Sequence, residues 1–227
     1  MEAYRVVDLS WRLTPPSPDV GGMGPRRLEL RRGELWAGEY TFDIDMTSHT
    51  GTHVEVPYHY VGPAFPGRRG KDVSELPADL FLGPAYVVDL KELEPRQPVL
   101  PQHLKETGAG KGDILLIGNS PHTAPGQKPY FSKEAAAWVA ENGIKAVGMD
   151  WTVRYEEYGI ETLQEMHTHF HLLMNDIPLL ENLTNFEQLR ETYVFFIALP
   201  LNIVGLDSCP VRAVALEGFL RPQGVPD

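Results

Sequence analysis

The chain has 227 residues, 42% of them hydrophobic, which is enough to bury the core of one sizeable domain, and its formal charge is −11. That acidity excludes a nucleic-acid surface, which needs clustered Lys and Arg to replace released counterions; the short run Arg68-Arg69-Gly70-Lys71 reads as a solvated loop. A single cysteine, Cys209, rules out an intrachain disulfide, and with no apolar stretch of signal or membrane length the expectation is cytoplasmic residence without a membrane partner.

In chain order, Tyr4 to Leu9 and Tyr40 to Thr47 read as strands. Between them lies a Pro/Gly-rich passage, Pro15 to Pro25, long enough to be a covering loop. A second such passage, Gly62 to Gly70, is read either as a loop shaping substrate access or as plain connection. Tyr86 to Leu90, Asp113 to Gly118, Ile144 to Met149, Tyr193 to Leu199 and Val211 to Leu216 are short apolar runs typical of buried strands. Ser132 can cap a helix over Lys133 to Asn142 that stops at Gly143, and Gln102 to Glu106 and Phe186 to Arg190 read as shorter helices. Glu161 to Met174 is compatible with a helix, yet His167, His169 and His171 alternate as a strand would. Strands and helices in mixed order predict one α/β domain over residues 1–227 with a partly mixed sheet.

The chemistry concentrates in His49-Thr50-Gly51-Thr52-His53-Val54-Glu55-Val56-Pro57-Tyr58-His59. In an extended chain the odd-numbered His49, His53, Glu55 and His59 share one face, while Thr50, Thr52, Val54 and Val56 face a core. A straight strand, at roughly 3.3 Å per residue, would hold His49 and His59 about 33 Å apart. The segment must therefore bend, and Gly51 and Pro57 are the places for it. Imidazole nitrogen with carboxylate oxygen suits zinc, manganese or ferrous iron, and the lack of a nearby cysteine favours an open, catalytic site over a closed structural one.

This segment resembles the signature of the cyclase family that includes bacterial kynurenine formamidases and isatin hydrolases, His-x-Gly-Thr-His-x-Asp-x-x-x-His. His49, Gly51, Thr52, His53 and His59 fit it, and Glu55 stands where the family has aspartate. A second family feature, a histidine followed twelve residues later by a glutamate in an Ile-Pro-x-x-Glu-x-Leu context, is met by His169 and Glu181. Gly112 to Leu116, Gly148-Met149-Asp150, Leu199-Pro200-Leu201 and Pro210 to Ala213 resemble further landmarks of the scaffold. The resemblance implies a swivelling β/β/α domain, a homodimer or homotetramer, and one or two Zn2+ or Mn2+ ions per subunit. It places His49, His53 and Glu55 on one ion and has Glu55 bridge to a second held through His59, His169 and Glu181.

On that basis the expected activity is a metal-dependent hydrolase that uses a metal-activated water to cleave an amide, formamide or cyclic amide C–N bond in a small molecule. His59 is a candidate both for proton shuttle and for ligand; as a ligand it passes the shuttle role to His169 or Glu181. A lyase or cyclase acting on a carbonyl substrate and a non-catalytic metal-binding domain are the rival readings. Ser120, His122 and Asp150 supply the residue types of a serine hydrolase without a Gly-x-Ser-x-Gly elbow, so they read as a polar loop and scaffold. Trp36, Trp138, Trp151 and Tyr58 are candidate pocket aromatics, though aromatic residues at such positions are more often core or interface.

Overall fold

The computed structural model describes residues 4–22 and 24–219, and none of the described helices is long and apolar enough to cross a membrane. Its strands are β1 (Arg5–Asp8), β2 (Leu28–Glu34), β3 (Tyr40–Met46), β4 (His53–Glu55), β5 (Leu82–Asp89), β6 (Pro98–Val99), β7 (Ile114–Gly118), β8 (Tyr130–Phe131), β9 (Ala146–Asp150), β10 (Leu179–Leu183), β11 (Tyr193–Ile197), β12 (Ser208–Pro210) and β13 (Val214–Glu217). The α-helices are α1 (Pro57–Ala64), α2 (Pro101–Lys105), α3 (Lys133–Glu141) and α4 (His167–Leu173).

One mixed sheet of nine strands, in the order β1-β13-β11-β5-β7-β9-β10-β4-β12, carries the fold. Its centre, β5-β7-β9-β10, is parallel, as the apolar runs there require: such strands are covered on both faces and joined through crossovers. The flanking pairs are antiparallel. The sheet curls, so that Val7 of β1 and Cys209 of β12, at its opposite edges, share one core with Val54, Leu116, Leu180 and Ala215. The other face meets the helices, where Leu115, Ile117, Val147 and Leu179 pack with Tyr60 of α1, Ala135 and Val139 of α3 and Leu172 of α4.

The predicted strands are all present, with edges shifted by a few residues, and Ser132 caps α3 by accepting from the Ala135 amide. Residues 161–174 resolve as a helix, not a strand: His167 and His171 share its outer side, and His169 turns inward with Thr168 and Leu172. Phe186–Gln188 is a single 3-10 turn instead of a short α-helix. The Gly62 to Gly70 passage is helical as far as Ala64. Five strands escaped the sequence pattern, β2, β6, β8, β10 and β12; β10 is buried on both faces and has no alternation to see.

β2 and β3 form a separate hairpin. Its register stacks Leu30 on Ile44 and Arg32 on Phe42, and the Arg32 guanidinium lies 4.6 Å from the Tyr40 ring centroid. Leu30, Leu35, Tyr40, Phe42 and Ile44 are exposed, and Trp36 at the tip is 91% exposed.

Pro57 opens α1, a position where its missing N–H costs nothing. Gly70 then folds back so closely that a Cβ there would lie 2.2 Å from the Pro57 carbonyl carbon and oxygen. Gly70→Ala must push the start of α1 outward and is expected to destabilise the protein by about 1–3 kcal/mol, read from the denaturant midpoint. An unchanged midpoint would show that α1 is not pinned there.

Candidate metal centre

β4 and β10 set the floor of the site. Their antiparallel register puts Glu181 opposite His53 and Leu179 opposite Glu55, so His53, Glu55 and Glu181 emerge on one face of the sheet, the face that α1 and α4 cover. Val54 and Leu180 point the other way into the curled core, as the alternation requires. The extended part of the motif is confined to His53–Glu55. His49 precedes it in a turn, with Gly51 at φ +68°, and His59 follows on α1 beyond Pro57, so the chain bends at the two predicted residues. The shared face expected for all four side chains therefore holds for His53 and Glu55 alone; the bends bring His49 and His59 back to them.

The structure brings all six expected residues together. His49 Nδ1 lies 3.0 Å, His53 Nε2 3.6 Å and His59 Nε2 3.5 Å from Glu55 Oε1. His169 Nε2 is 3.0 Å from Glu55 Oε2 and 3.9 Å from Glu181 Oε1, and His53 Nε2 is 3.6 Å from Glu181 Oε2. Two donor sets have all atoms within 4.8 Å of one another, His49 with Glu55 and His59, and His53 with Glu55 and Glu181. Glu55 belongs to both, as a bridging carboxylate would, although the histidines divide between the sets differently from the division the resemblance implies.

Each of the four imidazoles has its other nitrogen held from behind. His53 Nδ1 donates to the Gly51 carbonyl at 2.8 Å, and because a carbonyl only accepts, this fixes the tautomer whose Nε2 is an acceptor facing the site, 3.2 Å from His49 Nδ1. His169 Nδ1 is 2.6 Å from Glu156 Oε1, and Glu156 also accepts from the Thr168 and His169 amides at the start of α4. Asp207 Oδ2 takes both His49 Nε2, at 3.0 Å, and His59 Nδ1, at 3.1 Å, and Ser48 Oγ donates to Asp207 Oδ1. Oxygen behind each ring and the second nitrogen turned to the shared carboxylates is the arrangement that orients histidines toward a metal. Glu156 and Asp207 were not found from the sequence. Asp207 sits just before the scaffold landmark beginning at Pro210, and Glu156 lies thirteen residues ahead of His169 with no motif to link them.

The charges point the same way. Glu55 and Glu181 are both buried, with oxygens within 4.8 Å of each other. At an effective dielectric near 20, two such charges repel by about 3 kcal/mol, added to a desolvation penalty of several kcal/mol for each. Burial, and then the charge of Glu55, push the Glu181 carboxyl well above its ordinary value. Burial also opposes ionisation of Glu55, but hydrogen bonds from His169, His49 and His53 outweigh it and hold that carboxyl well below the usual range. Burial disfavours the His169 and His49 cations, yet hydrogen bonds to Glu156 and Glu55 in the first case and to Asp207 and Glu55 in the second raise them to about 10 and about 9. Bound protons thus balance the carboxylates in the metal-free protein, and a divalent cation fits in their place.

These donors line a cavity of about 690 Å³. Gly21 and Gly22 of the predicted covering loop, Trp151, Val153, Tyr155, Tyr158 and Met166 also line it. Of the four aromatic candidates only Trp151 reaches the cavity: Trp36 tips the exposed hairpin, Trp138 packs on the helix-side core, and Tyr58 is exposed under Arg69. Asp150 is buried and accepts from Asn119 and Thr152, and Ser120 accepts from the His122 amide, so these residues brace a loop.

A mixed α/β domain whose curled sheet presents a buried histidine–carboxylate centre to an open cavity defines the class. A family profile described as "Putative cyclase" matches residues 7–153, more than half of the chain and including His49 to His59. The chain belongs to this cyclase family. It is 28% identical over 216 residues to a kynurenine formamidase of Bordetella petrii, covering 91% of this chain and 97% of that one. It is 29% identical over 221 residues to a kynurenine formamidase of Bacillus mycoides, covering 94% and 98%. Among solved structures, isatin hydrolase A from Labrenzia aggregata bound to benzyl benzoate superimposes with a TM-score of 0.76 at 22% identity, over 95% of this chain and 94% of that one. A predicted metal-dependent hydrolase from Bacillus stearothermophilus gives 0.69 at 21% identity, over 94% and 98%. At these identities the structural likeness establishes the fold.

Metal binding should be linked to protons in a fixed direction. The metal-free protein keeps His169 and His49 protonated up to about pH 10 and 9, whereas a metal takes neutral imidazole. Below those values the ion must displace the protons already bound, and their release becomes harder with each step down in pH, so affinity falls with falling pH. Zinc titrations at pH 7 in buffers of different ionisation heat should report at least about one proton released per ion. Zero release would show that these imidazoles are not ligands.

Proposed function

We propose that this protein is a metal-dependent amidohydrolase that cleaves a formamide, amide or cyclic amide C–N bond of a small aromatic substrate, with Zn2+ or Mn2+ held by His49, His53, Glu55, His59, His169 and Glu181 as one or two ions. The observation that carries this reading is the set of imidazoles fixed from behind around two buried carboxylates at the end of a cavity. The kynurenine formamidases and isatin hydrolases among its relatives support the reaction class. A divalent ion in such a site lowers the pKa of coordinated water from about 15.7 toward about 7 and polarises a carbonyl.

The remaining work falls to the chain. Trp151, Tyr158 and Met166 provide an apolar wall for an aromatic ring, which keeps the scissile carbonyl at the histidine end. His59 is the most exposed of the four site histidines, at 30%, and Asp207 holds its Nδ1 so that Nε2 faces the site. With one ion held by the other donors, His59 Nε2 is unligated: it accepts a proton from the attacking water as the new C–O bond forms and returns it to the nitrogen as the C–N bond breaks; with two ions His59 is a ligand and this role passes to His169 or Glu181. Asp207 steadies the transient imidazolium without changing its own protonation, since its hydrogen bonds to His49 and His59 hold its carboxyl far below the usual range.

A screen of the metal-supplemented protein on N-formyl arylamines and isatin-type cyclic amides should find turnover that chelation abolishes while the circular dichroism spectrum stays folded. Glu55→Gln removes the shared negative charge and is expected to lose metal affinity at least about a hundredfold, with Glu55→Asp keeping measurable binding. Full turnover after complete demetallation would contradict the reading.

We further propose that the active form is a homodimer or homotetramer in which the β2–β3 hairpin packs on a second copy. A two-stranded hairpin is marginal in water without a covered apolar face. The exposed Leu30, Leu35, Trp36, Tyr40, Phe42 and Ile44 offer a second copy an apolar contribution toward the ~800 Å² per partner that a stable dimer needs. Light scattering should give two or four times 25.4 kDa for the parent and 25.4 kDa for the Trp36→Asp/Ile44→Asp double variant. A parent that is monomeric at micromolar concentration would sink the idea.

A further inference from the structure

Tyr155 and Tyr158 both line the cavity, and they use their hydroxyls differently. Tyr158 spends its proton on the Lys128 carbonyl at 2.8 Å. Tyr155 uses its oxygen as an acceptor, from the Asn182 amide at 2.8 Å, and its proton has no acceptor among the described residues.

The position of that oxygen follows from an irregularity in β10. The pairing of β10 with β9 slips between Leu180 and Leu183, and Asn182 takes φ +59°, so its amide turns out of the ladder toward the phenol. Asn182 directly follows Glu181, which places the Tyr155 hydroxyl at the acidic end of the cavity. On the other side, Thr168 Oγ1 donates to the Tyr155 carbonyl at 2.6 Å, and the next residue, Glu156, holds His169 Nδ1. Tyr155 is thus fixed between the strand that carries Glu181 and the helix that carries His169.

Carboxylates and the neutral imidazole nitrogens that face the site only accept hydrogen bonds, whereas an oxygen gaining negative charge needs a donor. A phenol is un-ionised at neutral pH, and burial, then the charge of Glu181, push its ionisation higher still. It offers a proton without giving it up. An O–H held in a wall of the protein without an acceptor carries the cost of an unmade hydrogen bond, which a substrate oxygen relieves.

We propose that the Tyr155 hydroxyl donates to the carbonyl oxygen of the bond being cleaved and strengthens that hydrogen bond as the carbonyl becomes tetrahedral. As the water oxygen bonds to the carbonyl carbon, the C=O π pair moves onto the carbonyl oxygen, where the phenol meets it; as the C–N bond breaks, the pair returns to re-form C=O. The phenol proton stays on Tyr155 throughout. The inference rests on the hydrolase reading above and adds a residue that contacts the reacting carbonyl without binding metal.

The test measures, by calorimetry on the metal-loaded protein, the affinity for acetanilide, whose carbonyl is planar, and for the N-phenyl amide of methylphosphonic acid, whose tetrahedral anionic group mimics the addition state. Tyr155→Phe should weaken phosphonamidate binding at least about tenfold and leave acetanilide binding and zinc affinity nearly unchanged. Replacement of Tyr155 by 3-fluorotyrosine, which keeps the oxygen for the Asn182 amide and makes the proton a stronger donor, should tighten phosphonamidate binding. On formanilide, Tyr155→Phe should lower kcat at least about tenfold with KM nearly unchanged. Equal weakening of both ligands, no weakening of either, or a parent that does not bind the phosphonamidate would overturn the assignment. Lost zinc affinity in folded Tyr155→Phe, with the ratio of the two ligands unchanged, would assign the phenol to Glu181 and overturn it as well. A parent that binds the phosphonamidate and does not turn over formanilide would count against the hydrolase reading, and the ligand comparison would still decide the role of Tyr155.

Discussion

Glu55 and Glu181 project from neighbouring strands into the same water-poor space, and neither can keep its charge there without help. Repulsion and lost hydration together exceed what ordinary hydrogen bonds of about 1–3 kcal/mol return, so the surroundings must supply positive charge. The fold meets that demand by converging on them from three directions: the turn before β4 brings His49, α1 brings His59, and α4 brings His169. Outside that ring stand the oxygens that orient it, from Gly51, Glu156 and Asp207. The result is a site that stores protons when empty of metal and is ready to exchange them for a divalent ion.

The sheet makes this possible by giving its two faces different tasks. Its inner face closes on itself to form a dry core that needs no helix, which frees the helix-covered face to hold polar groups at the β4–β10 end. Short antiparallel strands suit that end: β4 is three residues long, so the chain can leave it on either side within a few residues and return two more ligands to the same point. The cavity then divides into an acidic, metal-seeking end and a wall where Lys128 lies beside Trp151 and Arg154 beside Tyr158.

The motif from His49 to His59 and the pair His169 and Glu181 were legible because close spacing and recurrent sequence context record chemistry directly. The bends at Gly51 and Pro57 followed from reach alone: an extended chain could not unite its own histidines. What stayed hidden depends on contacts between distant segments. Asp207 acts on His49 from 158 residues away, and nothing in the local sequence of either announces it. The alternation of His167, His169 and His171 mimics a strand, and the helix prevails because Glu156 takes its first amides and Leu172 and Leu173 need the core. The β2–β3 hairpin was half visible, since β3 alternates clearly whereas β2 is interrupted by charge at Glu29, Arg31 and Arg32.

The central claim is that a divalent transition metal, bound between Glu55 and Glu181, is what these buried carboxylates are built to hold. Anomalous diffraction across the zinc or manganese absorption edge, from crystals of the protein grown with that metal, tests it most directly. The account predicts one or two anomalous peaks enclosed by His49, His53, Glu55, His59, His169 and Glu181, with Glu55 contacting each peak present. An anomalous map with no peak in this cluster, from metal-saturated crystals whose histidine and carboxylate side chains are well ordered, would contradict it.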